Sequence, residues 1–180
     1  MAITRAHEFI SLDGVFESPS WTMEFGFDPK MGETIGTVMG DAGAILLGRR
    51  THEMFAPAWR DRTPEDDPGA PFFNDTEKFV VGSNAPAEEW ANTTRFGPYD
   101  ASALREFKDS RKGSIYISGS GQLVRGLIAD DLLDELHLFM FPIALGAGDR
   151  LFGDELAKFE LKGSEVYANG VVHLCLTPRS

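Results

Sequence analysis

The sequence predicts a three-layer α/β fold, in which helices cover both faces of a mostly parallel central sheet. Continuous apolar runs, typical of strands buried on both faces, alternate along the chain with amphipathic segments. Glycine turns join several of these runs directly to a helix. Near the carboxyl terminus, Asn169-Gly170 between two apolar runs indicates an antiparallel hairpin. The length of 180 residues suits a single domain spanning residues 1–180.

The first half of the chain contains strand, helix and turn signals in alternation. Asp28-Pro29 is typical of a helix start, and the apolar spacing that follows predicts a helix over 29–40. The run at 44–47 predicts a central strand, and Thr51 is placed to cap a short helix that Pro57 ends. The predicted elements are strand 3–12, helix 29–40, strand 44–47, helix 52–56, a surface excursion over 57–76 and strand 78–82.

The second half repeats the same order and then changes character. The run at 114–118 predicts a third buried strand, and a glycine turn leads from it into an amphipathic helix. Residues 136–143 are apolar at every position but His137 and are expected in the interior, with Pro142 marking an end or a bulge. The predicted elements are strand 93–96, helix 101–109, strand 114–118, helix 121–129, strand 136–143 and a hairpin of 159–166 with 171–176.

Composition excludes several classes of partner. Twenty-eight acidic against seventeen basic residues give a formal charge of −11, which disfavours nucleic acid and anionic lipid. Cys175 is the single cysteine, so no disulfide within the chain and no cysteine-built zinc cluster can form. The start lacks a secretory h-region, and the longest apolar run, residues 138–145, is far shorter than a membrane span. We therefore expect a cytoplasmic protein.

Gly48-Arg49-Arg50-Thr51 is the first candidate binding segment, because it follows the predicted central strand directly. In an open α/β sheet, ligands bind at the carboxyl ends of the strands. Glycine permits close backbone approach, two guanidinium groups bring fixed positive charge, and the threonine adds a hydroxyl, a combination suited to phosphate. The alternative is a glycine followed by two solvated arginines.

Gly119-Ser120-Gly121 is the second candidate, because its amides precede a helix and could bind a pyrophosphate. The segment is an incomplete dinucleotide fingerprint, since the third glycine of G-x-G-x-x-G falls on Val124. A plain turn from strand to helix is the alternative. No Gly-Lys-Ser/Thr of a P-loop and no G-x-S-x-G of a serine hydrolase occurs in the chain.

Four large apolar side chains, Trp21, Met23, Phe25 and Phe27, lie in a segment predicted as loop. They could line a pocket for a flat ring, or pack on a sheet edge or across a dimer interface. Three acids share this region, and any of them could act as a buried acid if desolvation raised its pKa. These acids are Glu17, Glu24 and Asp28.

The four histidines are scattered, with no spacing that would ligate a metal. His137 and His173 fall in strand patterns, where packed or edge positions are a better interpretation than catalysis. We expect no metal site.

Five segments taken together resemble one family, and they occur in its order from about residue 3 to residue 177. The segments are 11–15 (SLDGV), 46–51 (LLGRRT), 79–83 (FVVGS), 117–123 (ISGSGQL) and 141–148 (FPIALGAG). The chain resembles dihydrofolate-reductase-like proteins related to the C-terminal reductase domain of the bifunctional riboflavin-biosynthesis deaminase-reductase. The resemblance implies a dihydrofolate-reductase-like fold that binds NADPH across the carboxyl edge of its sheet.

The resemblance also implies a set of NADPH contacts. Gly48 to Thr51 resemble the Gly-Arg-x-Thr segment that holds the 2′-phosphate and the pyrophosphate, and Ser83 resembles a serine near the adenosine phosphate. Residues 119–121 resemble the Gly-Gly-Gly diphosphate turn, although the middle glycine is Ser120 here and Gln122 replaces an arginine. The implied cofactor-binding residues are Gly48, Arg49, Arg50, Thr51, Ser83, Ser118, Gly119, Ser120, Gly121, Gln122 and Leu123.

The reaction that the resemblance implies is hydride transfer from C4 of nicotinamide to a C=N or C=O carbon. The riboflavin enzyme reduces the ribosyl group of 5-amino-6-(5-phosphoribosylamino)uracil, and Asp13 matches the aspartate of its Ser-Leu-Asp-Gly segment. Glu24 and Asp28 are loose counterparts of the acid on the first helix of dihydrofolate reductase, and Trp21 and Phe25 are the candidate substrate contacts. The sequence contains no deaminase motif, so we expect a reductase-type domain without a fused deaminase.

Two functions from different classes remain open at this point. The first is an NADPH-dependent reductase of a pyrimidine-like, pterin-like or small carbonyl substrate. The second is a non-catalytic, dimeric module that binds NADPH or flat heterocycles on the same scaffold. A homodimer is expected from the family and from the apolar strand 136–141.

Overall fold

The computed structural model, which describes residues 1–153 and 155–179, contains one eight-stranded sheet. Its order is β4-β3-β2-β5-β1-β6-β8-β7, with six neighbouring parallel strands and an antiparallel pair at one edge. The strands are β1 (Ile3–Ile10), β2 (Ala42–Gly48), β3 (Lys78–Val81), β4 (Thr93–Gly97), β5 (Ser114–Ser118), β6 (Glu135–Met140), β7 (Lys158–Val166) and β8 (Val172–Arg179).

Helices cover both faces of the sheet. Leu104 of α4 and Leu127 of α5 belong to the core cluster on one face, and Val38 of α1 and Ala56 of α2 belong to a cluster on the other. The prediction of a three-layer α/β fold with a carboxyl-terminal hairpin is confirmed. The helices are α1 (Pro29–Met39), α2 (Arg49–Trp59), α3 (Ala70–Asp75), α4 (Ala101–Ser110) and α5 (Gly121–Ala129).

Helix α2 differs from its prediction. It begins at Arg49, its N-cap Gly48 makes no side-chain capping bond, and Thr51 lies inside the helix instead of capping it. Pro57 does not end the helix, which runs on to Trp59. The Trp59 ring stacks on Phe73 with centroids 4.2 Å apart, so packing beyond the proline outweighs the hydrogen bond that proline removes.

Two segments predicted as loops contain helices. The excursion over 57–76 includes α3, whose Phe73 is buried against the sheet. The aromatic segment forms a 3₁₀ helix, Pro19–Phe25, with Pro19 at its start. Local patterns missed both because each helix is short and held by packing. Among the described residues, no helix is long and apolar enough to cross a membrane.

Strand β6 ends three residues earlier than predicted and lies inside the sheet. The Phe141 N–H still reaches the Ile10 carbonyl, but Pro142 has no N–H and pairing stops there. Strand β6 lies between β1 and β8, and its residues 136–139 are buried within one copy of the chain. The burial of this strand within one copy explains its apolar pattern, so residues 136–141 do not by themselves indicate the predicted homodimer, which stays a prediction.

Candidate functional site

Three predicted binding segments meet at the carboxyl ends of the parallel strands. Strand β2 lies between β3 and β5, and all three are parallel, so the turns that follow them lie side by side. The Gly48 N–H donates a hydrogen bond of 2.9 Å to Oγ of Ser120, which joins the first two candidate segments directly. The Gly48 N–H therefore already has a hydrogen-bond acceptor within the chain.

Glycine is required where the turns touch. Gly119 has φ +60°, and a Cβ there would stand 3.0 Å from Cγ2 of the buried Thr51. A Cβ on Gly82 would stand 2.9 Å from Cβ of Arg49. The turns after β2, β3 and β5 therefore pack closely enough to exclude side chains between them.

Ser120 adopts the left-handed conformation, with φ 64° and ψ 39°, although it stands where the resembled family has glycine. Its hydroxyl accepts the Gly48 N–H, a contact that accompanies this conformation and that glycine could not make. Ser120 is also the N-cap of α5, and its side chain makes no capping bond to the helix. The first N–H groups of α5, at residues 121–123, thus have no acceptor within the helix and suit an anion.

Phe16 is a residue that sequence analysis missed. A Cβ on Gly121 would stand only 2.3 Å from Cζ of Phe16, so the ring lies directly against the glycine. The two residues are 105 positions apart, and no local pattern connects them. A larger side chain at position 121 would strike Phe16 whether or not a ligand is bound.

The two arginines of the first segment have different environments. Nη1 of Arg49 lies 2.7 Å from each carboxylate oxygen of Glu53, one helical turn away. Hydrogen bonds from the Ala87 amide and from Arg49 lower the pKa of Glu53. Arg50 is exposed, and no described residue forms an ion pair with it. Arg50 is therefore the guanidinium group of this segment that is available to a ligand.

The other predicted cofactor contacts surround these turns. Ser83 is exposed, and its carbonyl accepts a hydrogen bond from Arg95. Ser118 is buried and its carbonyl lies 3.4 Å from the Ser120 hydroxyl. In the first turn of α5, Gln122 is exposed and Leu123 is buried in the core.

Asp13 fixes a distant turn. Its carboxylate accepts hydrogen bonds from the amides of Leu145 (3.0 Å) and Gly146 (2.8 Å) and from the Ser11 hydroxyl. The Ser11 hydroxyl and the two amides lower the pKa of Asp13 to about 2. A carboxylate held in its charged form positions the chain and is poorly suited to donate a proton at neutral pH.

The two other predicted acids lie on the segment before α1. Asp28 is the N-cap of α1, where Oδ1 accepts from the Lys30 amide (2.8 Å) and Oδ2 from the Ala168 amide (3.0 Å). Asp28 thus ties α1 to the turn of the hairpin. Glu24 is exposed on the 3₁₀ helix.

Trp21 and Phe25 are half-buried, and each packs edge-on against Phe141 with ring centroids 5.5 Å apart. These contacts agree with the predicted alternative that the aromatic segment packs on the sheet. Met23 and Phe27 of the same segment are exposed. Among the described residues, no group of three or more histidine, cysteine or acidic side chains could hold a metal ion.

Glu8 was also missed. It is 2 % exposed on the central strand β1, and no donor reaches its Oε1. Burial raises its pKa well above the ordinary value of a glutamate. The sequence contained the signal for this inward position. Side chains alternate between the two faces of a strand, so Glu8 lies on the same face of β1 as Thr4, Ala6 and Ile10.

Comparison with known proteins identifies relatives across nearly the whole chain. The uncharacterized protein YyaP of Bacillus subtilis (strain 168) is 25 % identical over 179 residues, covering 92 % of this chain and 89 % of YyaP. Dihydrofolate reductase from Enterococcus faecalis, solved with NADP(H), superposes with a TM-score of 0.64 at 15 % identity, covering 99 % of this chain and 97 % of that one.

The riboflavin biosynthesis reductase Rib7 of Saccharomyces cerevisiae superposes with a TM-score of 0.62 at 12 % identity, over 99 % of this chain and 90 % of that one. These superpositions show that the sheet and its helices have a dihydrofolate-reductase-like fold. The RibD C-terminal domain family matches residues 4–173, a span that holds every segment on which the sequence resemblance was based. The chain therefore belongs to the family of RibD C-terminal domains.

Proposed function

We propose that this protein is an NADPH-dependent reductase that transfers a hydride to a C=N or C=O carbon of a pyrimidine-like, pterin-like or small carbonyl substrate. The observation that carries the proposal is the meeting of the turns after β2, β3 and β5, linked by the bond from Gly48 to Ser120. Membership of a family of reductase domains and the dihydrofolate-reductase-like fold support it. Reduction of the riboflavin precursor 5-amino-6-(5-phosphoribosylamino)uracil is the reference reaction for this class.

The residues present fit a dinucleotide. Gly119 and Gly121 have no side chains of their own, although Thr51 packs against the first and the Phe16 ring against the second. The start of α5 offers N–H groups without an acceptor in the helix to a diphosphate. Arg50 supplies the positive charge for a 2′-phosphate, with Arg49, Thr51 and Ser83 beside it. When bound, NADPH would supply the hydride, and the chain would orient the two reacting rings.

The predicted catalytic and substrate residues take separate roles in this proposal. Asp13 holds the turn at 145–146 in place as a positioning residue. Asp28 positions α1, which leaves Glu24 as the predicted acid with an exposed carboxylate. Trp21 and Phe25 would present the uncovered parts of their rings to a flat substrate.

A thermal shift measurement tests the proposal. At a concentration one hundred times its Kd, NADPH stabilises a protein by about 2.7 kcal/mol, which for a chain of this length is a rise in Tm of about 5–10 °C. We expect this rise with NADPH and a smaller one with NADH at the same concentration. No shift with either cofactor at millimolar concentration would contradict the proposal, and binding without oxidation by any acceptor would favour the non-catalytic module.

We also propose a homodimer, formed through the edge strand β7 instead of β6. The exposed side chains of Leu161 (57 %) and Val166 (71 %) lie on this strand, whose free edge is a template for pairing with another strand. An apolar groove of about 410 Å³ adjoins it, lined by Leu138, Phe152, Glu155, Leu156, Ala157, Phe159 and Leu176.

Sedimentation should therefore give twice the chain mass. The double variant Leu161→Lys/Val166→Lys is expected to sediment as a monomer, because it places charge along the pairing edge. Met54→Lys, at an exposed apolar position on α2, is the matched control and should stay dimeric. A monomeric native protein would refute the homodimer.

A further inference from the structure

Glu8 occupies an unusual position for a carboxyl group. Strand β1 lies in the middle of the sheet, between β5 and β6, and Glu8 pairs in register with the buried Leu138. Its neighbours on the same face, Ala6 and Ile10, belong to the core cluster that α5 covers. Glutamate is almost never fully buried unless it is paired.

Glu8 has no partner that would explain its burial. Its side chain appears in no ion pair or hydrogen bond among the described residues, and Oε1 is buried without a donor. Burial raises the pKa of Glu8 well above its ordinary value and so favours the protonated, neutral form of the carboxyl group. A neutral carboxyl offers one donor and one acceptor side by side. A buried carboxyl oxygen that no donor reaches points to a ligand that supplies one.

The register places Glu8 beside the candidate cofactor turn. His7 pairs with Ser118 at the end of β5, so Glu8 lies level with Gly119, where β5 passes into the glycine turn. Gly121 and Leu123, at the start of α5, are buried above the same face. Glu8 therefore lies on β1, the neighbour of strand β5, whose turn would bind a diphosphate.

The sheet order determines which end of a dinucleotide would reach Glu8. Arg50 follows β2, the glycine turn follows β5, and Glu8 lies on β1, so the three lie in that order across the sheet. If the 2′-phosphate of the adenosine end lies at Arg50 and the diphosphate at the turn, the nicotinamide end lies at β1. The carboxamide of nicotinamide carries one acceptor oxygen and two donor hydrogens, the complement of a neutral carboxyl.

We propose that Glu8 binds the carboxamide of the nicotinamide ring, donating one hydrogen bond to its oxygen and accepting another from its NH₂ group. This inference rests on the proposed use of NADPH and adds a residue that selects the nicotinamide end. Glutamine at position 8 keeps a neutral donor and acceptor, whereas methionine and leucine remove both and keep similar bulk.

Equilibrium binding of NADPH and of 2′,5′-ADP, which lacks nicotinamide, tests the proposal. We expect Glu8→Gln to bind NADPH within about threefold of the native protein, and Glu8→Met and Glu8→Leu to bind it at least about tenfold more weakly. All three variants should bind 2′,5′-ADP as the native protein does. The Met and Leu variants should match or exceed the native Tm, because they remove an unpartnered polar group.

The outcomes separate the two proposals. Native affinity of Glu8→Met and Glu8→Leu for NADPH would overturn the role of Glu8 while leaving NADPH binding intact. Loss of affinity in Glu8→Gln equal to that in Glu8→Met would also overturn it, because the neutral pair would then not be what binds. Failure of the native protein to bind either ligand would overturn the proposed function, and the role of Glu8 with it.

Discussion

Replacing Arg50 with alanine is expected to weaken NADPH binding about 10- to 100-fold and to leave NADH binding within about threefold. Hydrogen bonds to charged groups contribute roughly 1.5–3 kcal/mol, and each 1.4 kcal/mol is a tenfold change in Kd. The two cofactors differ only in the 2′-phosphate, which Arg50 is proposed to hold. Titration of both cofactors by calorimetry or by fluorescence measures the effect.

Arg49→Ala should have a smaller effect on NADPH than Arg50→Ala, because Glu53 already engages the Arg49 guanidinium. Lys112→Ala is the matched control for net charge. Lys112 is exposed just before β5 begins, at the opposite edge of the sheet from Arg50. Equal losses for NADPH and NADH in Arg50→Ala, or an equal loss in Lys112→Ala, would reject a 2′-phosphate site at Arg50.

The sequence was sufficient to predict the elements whose signal is local. The apolar runs that became β2 and β5 need no context to indicate buried strands. The hairpin followed from Asn169-Gly170, where the glycine has φ +85° as the turn requires. The sequence also predicted that the two candidate turns lie close together, because the carboxyl ends of parallel strands lie on the same side of the sheet.

The details of the site depend on contacts that are distant in sequence. Asp13 was predicted as a catalytic residue, but the amides that hold its charge come from residues 145 and 146, more than 130 positions later. Phe16 against Gly121 is a similar long-range contact. Two signals were local and overlooked: the spacing of four residues between Arg49 and Glu53, and the inward position of Glu8 in β1.

Three buried histidines form a row across β1, β6 and β8 on the face that α1 covers. His7 pairs in register with His137, and Nδ1 of His137 lies 3.0 Å from Nε2 of His173. All three are less than 9 % exposed. The strand patterns around His137 and His173 predicted packed or edge positions, and both side chains are buried inside the sheet.

Burial keeps this row neutral. Burial, together with the neighbouring histidines, lowers the pKa of His7 to about 3 and that of His173 to about 4. Burial also lowers the pKa of His137, although the Glu135 carboxylate 3.4 Å from its Nε2 opposes the shift. The Tyr116 hydroxyl lies 2.8 Å from Nδ1 of His7, and Nε2 of that ring has no partner among the described residues.

We expect the free energy of unfolding to fall steeply as pH drops below 6.5. The unfolded chain takes up protons on its histidines from the ordinary pKa of 6.5 downward, whereas His7 and His173 in the folded chain stay neutral until the pH approaches their lowered pKa values of about 3 and about 4. Each such histidine contributes up to about 1.4 kcal/mol per pH unit to the slope. His7 and His173 together would remove about 4–5 kcal/mol between pH 6.5 and 4.5, a large part of the stability of an ordinary domain, and the lowered pKa of His137 acts in the same direction.

The double variant His137→Phe/His173→Phe tests the cause, because it removes both partners of one hydrogen bond and keeps two rings that already stack on each other, one of which also stacks on Phe139. Urea unfolding at pH 7, 6 and 5 should give the variant a slope lower by up to about 2.7 kcal/mol per pH unit. His52→Phe removes one buried histidine outside the row and should lower it by at most half as much. Parallel pH profiles for the double variant and the native protein would mean that carboxylates, and not the histidine row, set the acid limit of this fold.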